Sequence, residues 1–297
     1  MKIGISGATG LIGRSLCRRL GSQGHDLTVF GRSRLRDLKF VEWNLLGDGP
    51  APADLEDLDA FIHLAGKPIP AALWSSRGRR LVRESRVVGT RRLVLALARC
   101  ESPPKVLISA SAIGFYGDTR DQLVTEDSPS GSGFLSEVCR AWEKEALAAE
   151  ELGLRVVLAR TGIVLSADGG LLRQMLTPFR LGLGARLGPG EQFLSWIHLD
   201  DEIALLERAL HDERWRGPFN LTAPNPVTNA EFSRALARKL HRPQFLSIPS
   251  PCLRLVFGQM ADEILLEGQR VLPRKALESG CNFSFRHLRD ALEDLLR

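Results

Sequence analysis

Gly7-Ala8-Thr9-Gly10-Leu11-Ile12-Gly13 is the stretch on which the reading of this chain turns. Before it comes Ile3-Gly4-Ile5-Ser6, a short apolar run that reads as a strand. After it Ile12, Leu16 and Leu20 fall on one stripe of a helix over Leu11–Leu20. In such a strand–loop–helix the first glycine allows a tight turn, the second lets backbone approach a ligand, and the third lets the helix pack close. The helix N-terminus then offers free N–H groups and the positive end of its dipole to phosphate. The spacing is G-x-x-G-x-x-G, not the commoner G-x-G-x-x-G, so its place at the first strand-to-helix junction carries the weight. Gly7, Thr9, Gly10, Leu11, Ile12 and Gly13 are therefore candidate contacts to a dinucleotide pyrophosphate; the alternative is a merely tight turn.

Outward from this loop, strands and helices alternate. Apolar runs at Leu27–Phe30, Phe40–Trp43, Ala60–Ala65, Val106–Ser109 and Leu154–Ala159 predict strands, with helices over about Arg79–Cys100 and Leu135–Leu152. Near-continuous apolar strands are what a parallel sheet covered on both faces requires. Right-handed crossovers then give an α/β fold, a doubly wound parallel sheet of Rossmann type. After about residue 165 the chain becomes Gly-rich. Trp196-Ile197-His198 and Phe219-Asn220-Leu221 read as short strands, and Asp201–Leu210 as a helix. Helices are expected at Asn229–Leu240, Leu253–Leu266 and Leu288–Leu296. The predicted domains are 1–225, nucleotide-binding with 166–195 contributing to a substrate lobe, and 226–297, a smaller, mostly helical C-terminal lobe covering the substrate.

The second strand names the cofactor. An NAD site wants a carboxylate at its end to bond the ribose 2′-OH. Here Leu27-Thr28-Val29-Phe30 is followed by Gly31-Arg32-Ser33-Arg34, with no acidic residue from Leu27 to Leu35. Guanidinium groups suit a 2′-phosphate. Gly31, Arg32 and Arg34 thus point to NADP(H), the alternative being two solvated arginines.

Composition narrows the class. The 297 residues are 44% hydrophobic and 25% charged, which suits a globular chain with a full core. No run of about 18 apolar residues appears, so no membrane span is expected. Cys17, Cys100, Cys139, Cys252 and Cys281 are scattered, outside any CxxC pair, which predicts neither disulfides nor a metal site and fits a cytoplasmic location. The net charge of +5 comes from dispersed arginines, and the densest run, Arg77 to Arg92, reads as a solvated helix face. A small-molecule substrate is expected, with no nucleic-acid partner, on a monomer or homodimer.

Four segments together carry a resemblance: Gly7–Gly13, His63-Leu64-Ala65-Gly66, Ser109-Ala110-Ser111-Ala112-Ile113-Gly114-Phe115-Tyr116-Gly117, and Ser195-Trp196-Ile197-His198-Leu199-Asp200-Asp201. They resemble the extended, epimerase-like branch of the short-chain dehydrogenase/reductase superfamily. The segments Ala65–Ile69, Gly133–Glu143, Met175–Gly184 and Phe257–Glu263 narrow this to the atypical group called epimerase family proteins, with its own C-terminal extension. The resemblance spans essentially the whole chain. It implies an NADP(H)-binding Rossmann domain, with cofactor contacts from Thr9–Ile12, Gly31-Arg32, Leu64, Ala65, Arg86 and the region near Val164; Gly66, ending the fourth strand, and Ser109, ending the fifth near where a nicotinamide would lie, are further candidate contacts.

One part of the pattern is missing. The superfamily's Tyr-x-x-x-Lys pair should open the helix after the fifth strand, where tyrosine exchanges the proton and lysine lowers its pKa. Here Phe134 and Val138 hold those positions. Tyr116, the chain's one tyrosine, with Arg120 four residues on, is a candidate substitute; its alternative is loop packing. Ser111 is the other catalytic candidate, as a hydrogen-bond donor to an oxyanion, or else it caps a turn. Lys67, Trp74, Trp196 and His198 are candidate substrate contacts, with a solvated lysine, core aromatics and a structural histidine as their alternatives. The resulting expectation is an NADP(H)-dependent, epimerase-like oxidoreductase acting on a small carbonyl or sugar-derived substrate. A non-catalytic NADP(H) sensor or regulatory protein is the second reading.

Overall fold

The computed structural model describes residues 1–69, 75–258 and 260–297. The chain runs β1 (Lys2–Ser6), α1 (Leu11–Ser22), β2 (Asp26–Gly31), β3 (Lys39–Glu42), α2 (Pro52–Leu55), β4 (Ala60–His63), α3 (Ser76–Leu97) and β5 (Val106–Ala112). It continues β6 (Leu123–Val124), α4 (Phe134–Leu147), β7 (Arg155–Thr161), β8 (Ile163–Leu165), α5 (Gly170–Arg180), β9 (Ala185–Leu187), β10 (Phe193–Leu194), β11 (Trp196–His198), α6 (Leu199–His211) and β12 (Gly217–Leu221). Last come β13 (Val227–Thr228), α7 (Asn229–Lys239), β14 (Leu246–Ile248), α8 (Ser250–Phe257), β15 (Arg270–Val271), α9 (Arg274–Glu278) and α10 (Leu288–Leu295).

The sheet is the expected doubly wound one. Its order is β12-β7-β5-β4-β1-β2-β3. The pairs β3–β2, β2–β1, β1–β4 and β4–β5 are parallel, with Ser6 opposite Phe30 on one side and His63 on the other. The chain winds outward from β1 through β2 to β3, then returns to β4 on the other side of β1. Winding therefore reverses at β1, and a crevice opens there at the carboxyl ends of the strands. Ile3, Ile5 and all of β4 are buried, as double-sided coverage requires. Phe30, Phe61, Leu93, Leu97 and Leu107 fill the core under α3.

By compactness the chain forms two units. The first comprises Met1–Ser111, Val138–Arg160 and Ile203–Phe219. The second comprises Ala112–Glu137, Thr161–Glu202 and Asn220–Arg297. The second thus holds 166–195 together with everything after residue 226, and draws in further segments upstream of that boundary. Its core packs Trp196 and Phe179 against Phe232 and Leu236 of α7 and Leu288 and Leu292 of α10.

Several elements differ from expectation. The helix expected over Leu253–Leu266 is two pieces, α8 and a π-helical turn at Ala261–Leu266, because Gly258 at φ +56° ends α8 in a conformation that side chains avoid. The helix expected to Leu152 loosens after Leu147 into a 3₁₀ turn. The short pairs β8–β11, β9–β14, β10–β13 and β6–β15 join segments far apart in sequence.

Candidate functional site

A cleft of about 360 Å³ opens at the switch point. It is lined by Gly7–Gly10 after β1, Gly31–Ser33 at the end of β2, Trp43–Leu46 after β3, Leu64–Pro68 after β4, and Ser85 of α3. Each strand in this half of the sheet contributes the residues at its carboxyl end.

The glycine loop is tight for steric reasons. Gly7 sits at φ +75°, and a Cβ there would lie 2.7 Å from the Leu64 carbonyl carbon. A Cβ on Gly13 would lie 2.3 Å from the Gly7 carbonyl oxygen, so α1 seats directly on the loop. The Gly10 N–H donates to the Gly7 carbonyl at 3.0 Å and closes the turn. Gly10 is also the N-cap of α1, where no side chain caps the first turn and no acidic residue enters it. The first N–H groups of that helix, at Leu11 and Ile12, are therefore left for an anion. Thr9 and Gly10 are exposed at this edge.

Arg32 and Arg34 separate. Arg32 lines the cleft beside Gly31, whereas Arg34 lies over the Phe40 ring at 5.3 Å and is not part of the lining. The expected pair of phosphate-reading arginines is thus one: the chain bends after Gly31, and Arg34 packs on Phe40 instead of entering the cleft. None of the described residues lining the cleft is acidic.

On the other side of β1, Leu64, Ala65, Gly66 and Lys67 form a wall braced from behind. The Lys67 N–H donates to Ser85 Oγ at 3.1 Å, and its carbonyl accepts from Arg86 Nη1 at 2.9 Å. Arg86 lies over the Trp142 ring at 5.3 Å. Its guanidinium lies close behind Gly66, where a Cβ would be 3.2 Å from Arg86 Cζ. Among the described residues no carboxylate pairs with Arg86, and burial pushes its pKa down. Beneath the wall, His63 is bonded to Ser6 Oγ at 2.6 Å and Thr90 Oγ1 at 3.0 Å, and burial lowers its pKa to about 3. The same Thr90 oxygen accepts from Trp142 Nε1 at 2.9 Å. His63 is therefore neutral, a strut and not an acid.

The catalytic candidates are placed differently from expectation. Ser111 is buried, and its hydroxyl donates to Glu143 Oε1 at 2.6 Å. Glu143 is held by Arg160 through two contacts of 2.8 Å. In this arrangement Ser111 presents lone pairs, not a proton, to any third group, so the expected oxyanion donor is not formed. Tyr116 is 3% exposed and donates to Asn220 Oδ1 at 2.7 Å. Arg120 is well exposed and lies near Asp118, so the substitute Tyr–Arg pair is not assembled. Phe134 and Val138 begin α4 as the sequence indicated. Ser109 is buried with its hydroxyl donating to the Ala110 carbonyl, and neither it nor Val164 lines the cleft. Val164 pairs with Ile197 in the second unit.

Trp196 and His198 follow their structural alternatives and lie in the core. Trp196 is fully buried, its indole N–H donating to the Asn225 carbonyl at 3.1 Å. His198 stacks on Phe285 at 3.8 Å, accepts from the Asp200 N–H, and faces Asp294 at 3.4 Å. Burial lowers its pKa against three nearby carboxylates. Trp74 lies outside the described residues. The sequence reading missed Ser33, Trp43, Asn44 and Leu45; the signal available was topological, since β3 ends on the same edge as β1, β2 and β4.

Known proteins resemble this chain over its whole length. Residues 3–221 match the model of the NAD dependent epimerase/dehydratase family, and residues 248–295 match a domain of unknown function. An epimerase family protein of Mycobacterium bovis is 41% identical over 98% of this chain and 96% of its own length. The epimerase family protein YfhF of Bacillus subtilis is 36% identical over 100% and 98%. A crystal structure of the human epimerase family protein SDR39U1 with NADPH superposes with a TM-score of 0.89 at 35% identity, covering 99% of each chain.

Proposed function

The chain belongs to the NAD dependent epimerase/dehydratase family, and from that premise we propose that it binds NADP(H) in the cleft above the glycine loop and serves as an epimerase-like oxidoreductase for a small carbonyl or sugar-derived substrate. The observation that carries the cofactor choice is Arg32, set at the end of β2 in a cleft whose described lining holds no acidic residue. An NAD site needs a carboxylate there, and a 2′-phosphate needs a cation. The human relative crystallised with NADPH supports the same choice.

In this reading the pyrophosphate rests on Thr9, Gly10, Leu11 and Ile12, at the uncapped start of α1. Gly7 and Gly13 keep the loop low enough for that approach. Arg32 and Gly31 take the 2′-phosphate, and Trp43, Asn44 and Leu45 border the adenosine end. Leu64, Ala65 and Gly66, braced by Arg86, form the opposite wall. Bound NADP(H) supplies a hydride. Ser111 takes part in proton handling only if its hydroxyl turns from Glu143. A screen of carbonyl metabolites for NADPH oxidation tests this, with Ser111→Ala as the variant. Turnover that falls in the variant supports it; no turnover with any compound, or an unaffected variant, counts against it.

The second reading, a non-catalytic NADP(H) sensor or regulatory protein, is favoured by one set of observations. The hydroxyls of Ser111 and Tyr116 are both engaged internally, and Phe134 and Val138 replace the usual Tyr and Lys. Single-turnover hydride transfer to any metabolite removes it.

A further inference from the structure

We propose that the Lys67 end of the cleft receives an anionic group of the substrate, a carboxylate or a phosphate ester, so that the substrate class is an acidic carbonyl compound. This rests on the NADP(H) reading above and assigns the charge that reading leaves unused.

Sheet order gives the layout. β1 lies between β2 and β4, so the residues following β2 and β4 stand on opposite sides of the glycine loop. Arg32 follows β2 and Lys67 follows β4. With the 2′-phosphate at Arg32 and the pyrophosphate at the start of α1, the cofactor's anionic groups are matched before Lys67 is reached. Lys67 is then a surplus cation on the side where the cofactor's reactive half extends.

Three features make it more than a solvated lysine. Its backbone is clamped on both sides, the N–H by Ser85 and the carbonyl by Arg86, so its place in the lining is fixed. Among the described residues no carboxylate lies within ion-pair distance of it, and no acidic residue lines the cleft beside it. Finally, the Arg86 charge lies directly behind Gly66 and Lys67, without a carboxylate partner. A half-buried cation lacking a counter-charge is costly, and an anion seated at Lys67 relieves both charges together.

The test uses protein saturated with NADP+, so that the phosphate-reading parts of the cleft are filled. Malonate, inorganic phosphate and neutral malonamide are titrated calorimetrically into wild type, Lys67→Gln and Lys67→Arg. We expect malonate or phosphate to bind once per chain, the stronger of the two identifying the anionic group. Lys67→Gln should weaken that binding about tenfold while NADP+ affinity stays within about twofold, and Lys67→Arg should retain it. No anion binding to NADP+-saturated wild type, or malonamide binding as well as malonate, overturns the proposal. So does an NADP+ affinity that falls about tenfold in Lys67→Gln, which makes Lys67 a cofactor contact instead. Failure of wild type to bind NADP+ at all refutes the underlying cofactor reading, a distinct outcome that removes this inference with it.

Discussion

Gly13→Ala is the substitution that most sharply probes how the loop works. Helix propensity alone favours alanine over glycine inside a helix by about 1 kcal/mol, and Gly13 lies in the first turn of α1. Packing argues the other way. The new methyl would lie 2.3 Å from the Gly7 carbonyl oxygen and 2.7 Å from the Ala8 Cα, both backbone atoms with nowhere to go. Relieving that overlap requires α1 to withdraw by about 1 Å, and overpacking of this kind costs about 1–3 kcal/mol. Packing outweighs propensity over most of that range, and the net loss of stability should be about 1 kcal/mol, up to about 2, in urea denaturation. The same withdrawal takes the helix N–H groups away from the phosphates, so NADPH affinity should drop about tenfold or more. Gly10→Ala, whose Cβ would meet the Gly7 oxygen at 3.2 Å, should do much less. Gly31→Ala, with nothing within 4 Å, should leave stability alone. A Gly13→Ala protein as stable as wild type with unchanged NADPH affinity refutes the close-approach account, as does an equal effect at all three positions.

Two further expectations concern the buried charges. Glu202 is fully buried, its Oε1 accepts from Thr161 Oγ1 at 2.8 Å, and burial raises its pKa from 4.5 to about 8. The folded chain then keeps a proton that the unfolded chain releases above pH 4.5, so this group's contribution to stability declines as pH rises from 4.5 to about 8 and is flat beyond. Denaturation curves across that window should show Glu202→Gln flattening the decline; an unchanged pH slope contradicts the assignment. Glu143→Ala removes the carboxylate partner of buried Arg160 and should cost about 3 kcal/mol, whereas Ser111→Ala, which removes one hydrogen bond to the same carboxylate, should cost about 1 kcal/mol. Equal losses in urea denaturation contradict that ranking.

Much of the cofactor half of the molecule was legible in the sequence. Glycines at a strand–helix junction have few steric explanations, so Gly7 to Gly13 announced both the turn and the seat of α1. The change from a carboxylate to Arg32 is a change of charge at a fixed place, which sequence displays directly. Arg34 was not separable from Arg32, because which of the two turns inward depends on the local path of the chain, and here Arg34 lies over the Phe40 ring. Trp196 and His198 were read as a short strand, with pocket wall and core both left open, and they lie in the core. An aromatic run looks the same whether it faces ligand or packs on α7 and α10, and only tertiary contacts distinguish the two. The same limit hid the Ser111–Glu143–Arg160 cluster, whose members lie on β5, α4 and β7 and share no local pattern. Two-residue strands such as β6 and β15 carry no periodicity long enough to read.

The preference between NADPH and NADH, measured by titration for wild type and Arg32→Ala, tests the central claim most directly. Charge-assisted hydrogen bonds to a 2′-phosphate are worth about 1.5–3 kcal/mol, or about ten- to a hundredfold in affinity. Wild type should therefore bind NADPH more tightly than NADH by about that factor, and Arg32→Ala should abolish the difference by weakening NADPH alone. Tighter binding of NADH by wild type, unchanged in Arg32→Ala, would contradict the account.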